Sequence, residues 1–189
     1  RLLPDSLDPL SADALALIEL DSVARGYRAV DALVKRSPVD LLEANLVEPG
    51  KFLILLAGGV AEVEEALDAA LTVGDDAVLD KLMLPYVHEA IVPGLRGEQV
   101  QVYPDTIGVV EGRTVASVLH ACDQALKNAD VKLTGLRITP ALGGRAFFVV
   151  QGLQSDVEAS LDMARTLLDA HGTLHRTELI PRPHLEFLA

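Results

Sequence analysis

The sequence predicts an α/β fold of the α+β type, in which a unit of order β-α-β-β-α-β occurs twice, each with a small antiparallel sheet flanked by helices. Two observations predict it: an internal repeat runs along the chain, and each copy alternates between strand-like and helix-like hydrophobic patterns. Half of the 189 residues are hydrophobic and 23% are charged, so each copy has enough apolar side chain for a core. We therefore expect two small domains.

The repeat aligns without a gap over its first part, where residues 18–35 match residues 110–127 at a spacing of 92, from Glu19 to Glu111. Further along the chain the spacing grows to 94 and then to 96, at the pairs Gly50/Gly144 and Pro85/Pro181. The predicted organisation is a first domain at 14–93, a linker at 94–105 that is rich in glycine, proline and polar residues, and a second domain at 106–187.

Each unit begins with a mostly apolar strand, at 14–20 and 106–111, followed by a helix that ends near Lys35 or Lys127. Candidate helix caps precede the two helices, at Asp21-Ser22 and Arg113-Thr114. Apolar residues recur at helical spacing, which predicts the same buried face in both copies: Val23, Tyr27, Val30 and Val34, and then Val115, Leu119, Cys122 and Leu126.

The rest of each unit is a predicted hairpin, a second helix and a closing strand. The hairpin strands are at 39–46 with 52–56, and at 131–138 with 146–150. The second helices are at 61–72 and 156–170, the latter opened by a capping box of Ser155 and Glu158. The closing strands end at Pro85 and Pro181.

Composition excludes several classes of function. The formal net charge of −12 would repel phosphate backbones, so we expect no nucleic-acid partner. The longest apolar run, residues 52–61, is half of the ~20 residues that a membrane span needs, so we expect no membrane partner. One cysteine can form no internal disulfide, which suits a reducing compartment.

Residues that could carry chemistry have simpler structural explanations. His171 and His175 have metal-ligand spacing, but nothing nearby completes a set of three or four ligands, so we expect no metal. Cys122 lies on the predicted buried helix face, where a thiol acts as a small hydrophobe. The pairs Gly58-Gly59 and Gly143-Gly144 lack the spacing of phosphate-binding loops and indicate turns. No catalytic constellation is present, so we expect no enzyme.

Several motifs occur twice in the same order: the segments 18–35 and 110–127, the turn ahead of a Gly-x-x-x-x-Val-Glu helix, and an ending that reads Ile-Pro-Arg-Pro-His at 180–184 and shares its proline and histidine with Pro85 and His88 of the first copy. Together they resemble the bacterial microcompartment (BMC) shell-protein domain. The tandem resembles the trimer-forming shell proteins of this family, above all those of the propanediol-utilisation type, to which the stretch 49–53 is similar.

The resemblance implies a structural protein whose three chains form a pseudohexameric tile around a central pore for small metabolites or ions. Tiles would join edge to edge with other BMC shell proteins in a shell in the bacterial cytoplasm. The pore loops of the family correspond to Val47, Glu48, Pro49, Gly50 and Lys51, and to Thr139, Pro140, Ala141, Leu142, Gly143 and Gly144. Its edge residues correspond to Lys35, Lys127 and Arg182, and Tyr86 stands at the Arg182 position of the first copy.

Glu48 departs from the propanediol-type relatives, in which a cysteine before Pro-Gly supplies three thiolates to an iron–sulfur cluster. We therefore expect no such cluster, and no cofactor, in this chain. If Glu48 lines a threefold axis, three carboxylates would concentrate cations and repel anions. The alternative is that Glu48 turns aside into a salt bridge with a neighbour such as Lys51.

Two further alternatives stay open at this stage. Each of Lys35 and Lys127 would, without the resemblance, be a helix C-terminal charge and nothing more. The whole protein could instead be a soluble, trimeric ligand-binding regulator, because small repeated α+β domains often hold an effector between subunits. That regulator would bind its ligand tightly and would form no lattice.

Overall fold

The computed structural model describes residues 12–98, 100, 105–138 and 144–184. These residues form two compact units, the first made of residues 12–46 and 50–89 and the second of residues 47–49 and 90–184. Among the described residues, no helix has both the length and the apolar composition needed to cross a membrane.

The first unit is a four-stranded sheet with two helices against it. Its elements are β1 (Ala14–Leu20), α1 (Val23–Arg36), β2 (Asp40–Val47), β3 (Lys51–Gly58), α2 (Val60–Gly74) and β4 (Val78–Pro85). The strand order is β2-β3-β1-β4, and β1 pairs antiparallel with both β3 and β4. The alternate residues Ala16, Ile18 and Leu20 of β1 face the helices and form the core with residues of α1 and α2.

The second unit repeats this arrangement. Its elements are α3 (Ile91–Leu95), β5 (Thr106–Gly112), α4 (Val115–Asn128), β6 (Lys132–Arg137), β7 (Ala146–Gly152), α5 (Gln154–Ala170) and β8 (Leu174–Pro181). The strand order is β6-β7-β5-β8, with β5 antiparallel to both neighbours. The predicted fold class, β-α-β-β-α-β twice, is confirmed. The short helix α3, which packs against β6, was not predicted from the sequence.

Helix caps agree with the prediction at two of three positions. Ser22 caps α1 by accepting a hydrogen bond from the backbone N–H of Arg25, and Thr114 caps α4 by accepting one from Ser117. The predicted capping box of α5 is wrong, because the helix begins before Ser155. Its N-cap is Leu153, whose side chain makes no cap bond.

The predicted buried face of the first helix is also wrong in part. In α4 all four predicted positions are buried, but in α1 Tyr27 is 68% exposed and Val34 is exposed as well. The residues of α1 that are buried are Gly26, Ala29 and Leu33. Gly26 and Ala29 are small, so this side of the helix lies close to β3. The other two predicted positions, Val23 and Val30, are half-buried against the edge of the core.

Candidate functional site

The hairpin between β2 and β3 presents a short polar turn. Val47, at the end of β2, is buried, whereas Glu48, Pro49 and Gly50 are all exposed. Gly50 has φ of 99°, a left-handed conformation that glycine adopts without steric cost, so the chain can reverse within three residues. We call Glu48, Pro49 and Gly50 the first hairpin turn.

Lys51, directly after this turn, is bound to a buried acid on the neighbouring strand. Its Nζ lies 3.4 Å from Oε2 of Glu19 in the middle of the sheet. The structure therefore pairs Lys51 with Glu19, and does not show the salt bridge to Glu48 that the sequence left open as an alternative. The Glu48 carboxylate stands exposed at the turn.

Glu19 occupies an unusual place for a carboxylate. It belongs to the apolar strand β1, and its side chain is only 6% exposed. Burial raises the pKa of the Glu19 carboxyl above its usual value; the nearby Lys51 ammonium opposes this rise, and the negative charge of Asp80 adds to it. Sequence reasoning assigned Glu19 no role, although an acid within an apolar strand that recurs as Glu111 was a signal available in the repeat.

The predicted second pore loop lies largely outside the described residues, which leave out Thr139, Pro140, Ala141, Leu142 and Gly143. Gly144, which ends that loop, is described: it is buried and has φ of 81°. Arg145 follows it and is exposed, at the repeat position of Lys51.

The two predicted edge lysines make the same contact in both copies. Lys35 lies 2.7 Å from Asp31, one turn earlier on α1, and Lys127 lies 2.7 Å from Asp123, one turn earlier on α4. The two pairs differ in burial, because Asp31 is exposed whereas the Asp123 side chain is only 1% exposed. Sequence reasoning overlooked both aspartates, although their spacing of four residues before a lysine predicts such a pair.

The remaining edge position lies just after the closing strands. Arg182, after β8, has φ of 47°, and its counterpart Tyr86, after β4, has φ of 53°. Both residues are exposed, so each copy presents one large side chain from the same unusual backbone conformation. The backbone N–H of Arg182 donates to the carbonyl of Asp105, 2.7 Å away, which ties this turn to the start of β5.

The donors at the first hairpin turn do not fit an iron–sulfur cluster, which takes cysteine thiolates. Glu48 offers a carboxylate, and Cys122 is fully buried in α4. Burial raises the pKa of the Cys122 thiol far above its ordinary value, and the neighbouring Asp123 charge adds to the rise. Within the described parts of the chain, no three histidine, cysteine or acidic side chains are grouped as a metal ion would require.

Comparison with known proteins gives a consistent picture. The family described as BMC domain matches residues 14–87 and again residues 106–183. The chain is 34% identical, over 92% of its length and 94% of the relative's, to the bacterial microcompartment shell protein PduT of Citrobacter freundii. It is 25% identical to the carboxysome assembly protein CcmO of a Synechococcus strain, over 96% of this chain and 69% of that one.

Two solved structures are similar to the fold described above. A microcompartment protein from Desulfitobacterium hafniense DCB superposes with a TM-score of 0.86 and 34% identity, covering 92% of this chain and 97% of that one. The fused permuted hexameric shell protein MSM0275, from the RMM microcompartment, superposes with a TM-score of 0.59 and 25% identity, covering 82% and 81% of the two chains.

Proposed function

The chain belongs to the BMC domain family as a tandem shell protein of a bacterial microcompartment, and we propose that three copies of it close into one tile of the shell around a central opening. The tile would assemble edge to edge with other BMC shell proteins, in a shell in the cytoplasm. The single observation that carries the trimer is a difference in burial between the two copies of the repeat.

The outer side of the first helix is partly exposed, whereas its repeat equivalent is buried. We define the helix-1 outer face as the exposed Tyr27 and Val34 together with Val23 and Val30, which are half-buried against the core. Tyr27 is 68% exposed, whereas Leu119, its equivalent on α4, is fully buried. Val34 is exposed and its equivalent Leu126 is buried. An apolar stripe that is covered in one copy of a repeat and open in the other indicates a surface that a further molecule covers.

The two sheets also differ in burial, but here the first copy is the more buried one. On the side of the first sheet away from its helices, Leu17, Leu53 and Leu55 are buried. Their repeat equivalents, Val109, Phe147 and Val149, are only half-buried, and we call these three the second-sheet outer face. The second unit thus leaves an apolar sheet surface partly open, while the first leaves an apolar helix surface open.

These two open surfaces are different from each other, so a contact between them is head-to-tail and generates a ring or a filament, not a two-fold dimer. In the proposed trimer, the helix-1 outer face of one chain packs on the second-sheet outer face of the next. Three chains with two similar units each then place six units around one axis, which is the symmetry of a near-hexagonal tile.

The proposed opening lies where three first hairpin turns meet on this axis. Glu48 is exposed and Lys51 is bound to Glu19, so three carboxylates would face the opening. Converging negative charges raise the local concentration of cations and repel anions. We therefore assign the opening to the passage of small ions or metabolites, with a preference for positive charge.

The proposed edges carry Lys35, Lys127 and Arg182, with Tyr86 in place of an arginine in the first copy. Lys35 is exposed and Lys127 is partly exposed, and each ammonium group is paired with an aspartate one turn earlier on its helix, which restrains its position. Contacts of this kind are small, polar and sensitive to salt, in contrast to the apolar faces that hold the trimer.

The proposal includes no catalysis and no cofactor. The relatives that cover most of this chain are named as shell or assembly proteins, and the first hairpin turn offers a carboxylate where an iron–sulfur cluster needs thiolate. The alternative of a ligand-binding regulator finds no support among the relatives. Anaerobic treatment with iron and sulfide should leave the protein without a bound cluster, as measured by metal analysis and visible absorption.

Light scattering after size exclusion, followed by negative-stain imaging, tests the tile. A particle of about 61 kDa, three chains of 20.2 kDa each, that forms flat sheets at raised concentration is expected. Monomers that form no sheets would contradict it. For the opening, Mn²⁺ binding to the trimer should weaken in Glu48→Gln, whereas Glu64→Gln, which removes an exposed acid of α2, should bind as the wild type does.

A further inference from the structure

The side chain of Lys51 could neutralise the negative charge of Glu48 at the proposed opening, because Lys51 follows Glu48 by only three residues. In a tight hairpin, an ammonium at this position would be free to turn toward the carboxylate and cancel its charge. The structure shows where the ammonium goes instead, 3.4 Å from the Glu19 carboxylate. The arrangement of Glu19 therefore bears directly on the charge at the turn.

Strand register brings Glu19 and Lys51 together on one face of the sheet. Glu19 of β1 lies opposite Leu53 of β3, and Lys51 precedes Leu53 by two residues. Because side chains alternate between the two faces of a strand, Lys51 and Glu19 share a face and are diagonal neighbours. This is the face away from the helices, so the pair is formed by backbone pairing and does not depend on a loop.

The two ends of the pair have different surroundings. The Glu19 side chain is 6% exposed, whereas that of Lys51 is 40% exposed. Leu17 and Leu53, both buried, are neighbours of Glu19 along the strand and across it. A carboxylate in such a place is costly unless it is paired, so the buried acid holds the more exposed base, and the base has little freedom to leave.

A second acid faces Glu19 from the other side. Asp80 of β4 lies opposite Glu19 in the strand register, on the side away from Lys51, so a second negative charge lies beyond Glu19 and none of the strand partners of Glu19 competes with Lys51 as a base. In the second copy the equivalent of Asp80 is Arg176, which lies opposite Glu111. Glu111 there has a cation directly across the ladder, where Glu19 has an acid. The row of Lys51, Glu19 and Asp80, with Glu19 on the strand between the other two, is therefore particular to the first unit.

We propose that Glu19 is a positioning residue, which holds the Lys51 ammonium against the face of the sheet and thereby keeps the Glu48 carboxylates at the opening un-neutralised. The inference rests on the proposed function, because it assigns a charge-setting role to a residue that does not itself line the opening. Cation preference then depends on two acids per chain, Glu48 at the first hairpin turn and Glu19 on β1.

Mn²⁺ binding to purified trimers, measured by the electron paramagnetic resonance signal of the free ion, tests this. Glu19→Gln should weaken Mn²⁺ binding at least about tenfold, because three released ammonium groups come near the Glu48 carboxylates. The double variant E19Q/K51M should regain wild-type affinity, although it also lacks the Glu19 charge. Wild-type affinity in Glu19→Gln alone, or a double variant as weak as Glu19→Gln, would overturn the positioning role.

A second measurement reports on Lys51 directly and does not depend on the opening. Amine acetylation followed by mass spectrometry should modify Lys51 faster in Glu19→Gln than in the wild type, while Lys35, in the same chain, keeps its rate. An unchanged rate at Lys51 would overturn the proposal. If Glu48→Gln leaves Mn²⁺ binding unchanged, the proposed opening itself is wrong. If Glu48→Gln weakens Mn²⁺ binding but Glu19→Gln does not, only the role of Glu19 is rejected.

Discussion

Gly26 of α1 packs directly against the ring of Phe52 on β3, so closely that a Cβ atom at residue 26 would overlap the ring. In the second copy the sizes are exchanged: the helix position holds Val118, and the two paired strand positions hold Gly112 and Ala146. Val118 in turn fills the space that a Cβ of Gly112 would need. Both units therefore fill this helix–strand contact, but the large side chain comes from the strand in the first unit and from the helix in the second.

Exchanging Gly26 for valine, the residue of the other copy, should therefore destabilise the first unit. The valine side chain has no room beside Phe52, and overpacking of a core costs about 1–3 kcal/mol. Urea unfolding followed by circular dichroism measures the loss. Gly58→Ala is the matched control, since its added Cβ would meet Val63 at an ordinary 3.5 Å. Equal stability of Gly26→Val and the wild type would contradict this account of the packing.

The element order could be predicted from the sequence because it depends on local patterns that the repeat shows twice. The strand of residues 14–20 and the caps at Ser22 and Thr114 are confirmed for this reason. The start of α5 was wrong because the helix begins at Gln154, which places Ser155 inside the first turn, and Glu158 accepts a hydrogen bond from the Gln154 side chain.

Burial was harder to predict than secondary structure. The apolar period of α1 is real, but Tyr27 and Val34 of its stripe are exposed in the single chain, and only contacts beyond the helix decide which side is covered. The role of Glu19 was missed for a similar reason. Its pairing with Lys51 joins residues 32 apart in the chain, and it follows from the register of β1 and β3, which sequence spacing alone does not determine.

Replacing Tyr27 with aspartate should separate trimers into monomers that remain folded. A charge in the middle of the helix-1 outer face would lose its hydration on assembly, whereas in the monomer it stays in water. Light scattering gives the mass, and circular dichroism the fold. Leu153→Asp is the control, because Leu153 is similarly exposed, at 64%, but belongs to neither proposed face. Trimers of unchanged stability in Tyr27→Asp would place the interface elsewhere.

Removing the edge lysines should weaken sheets and leave trimers intact. Lys127→Ala should also cost about 1–3 kcal/mol of stability, because it takes a partner from the buried Asp123 carboxylate. Lys35→Ala should cost less than about 1 kcal/mol, since both members of its pair are exposed. Negative-stain imaging measures the sheets and thermal unfolding the stability. Sheets that persist with both lysines removed would refute the edge assignment.

Cys122 should resist alkylation in the folded protein. Its thiol is buried in α4, and its pKa is raised by that burial, so almost no thiolate is present or accessible at neutral pH. Iodoacetamide should label it only as the chain unfolds, and the labelling rate should rise with urea along the unfolding transition. Rapid labelling of the native trimer, detected by mass spectrometry, would show that α4 opens without global unfolding.

The pH dependence of stability should report on Glu19. Because burial raises the pKa of its carboxyl in the folded protein above the unfolded value of about 4.3, the folded state favours the protonated form. That contribution is fully present at pH values below the unfolded pKa and is lost as the pH rises through the folded pKa. Relative to Glu19→Gln, which cannot ionise, the wild type should therefore lose stability as the pH rises from the unfolded pKa of Glu19 through its raised folded pKa. Urea unfolding of both proteins across this range measures the difference, and Glu64→Gln controls for the removal of one negative charge. A difference that stays constant with pH, or that grows in favour of the wild type, would mean that Lys51 outweighs the cost of burying the carboxylate.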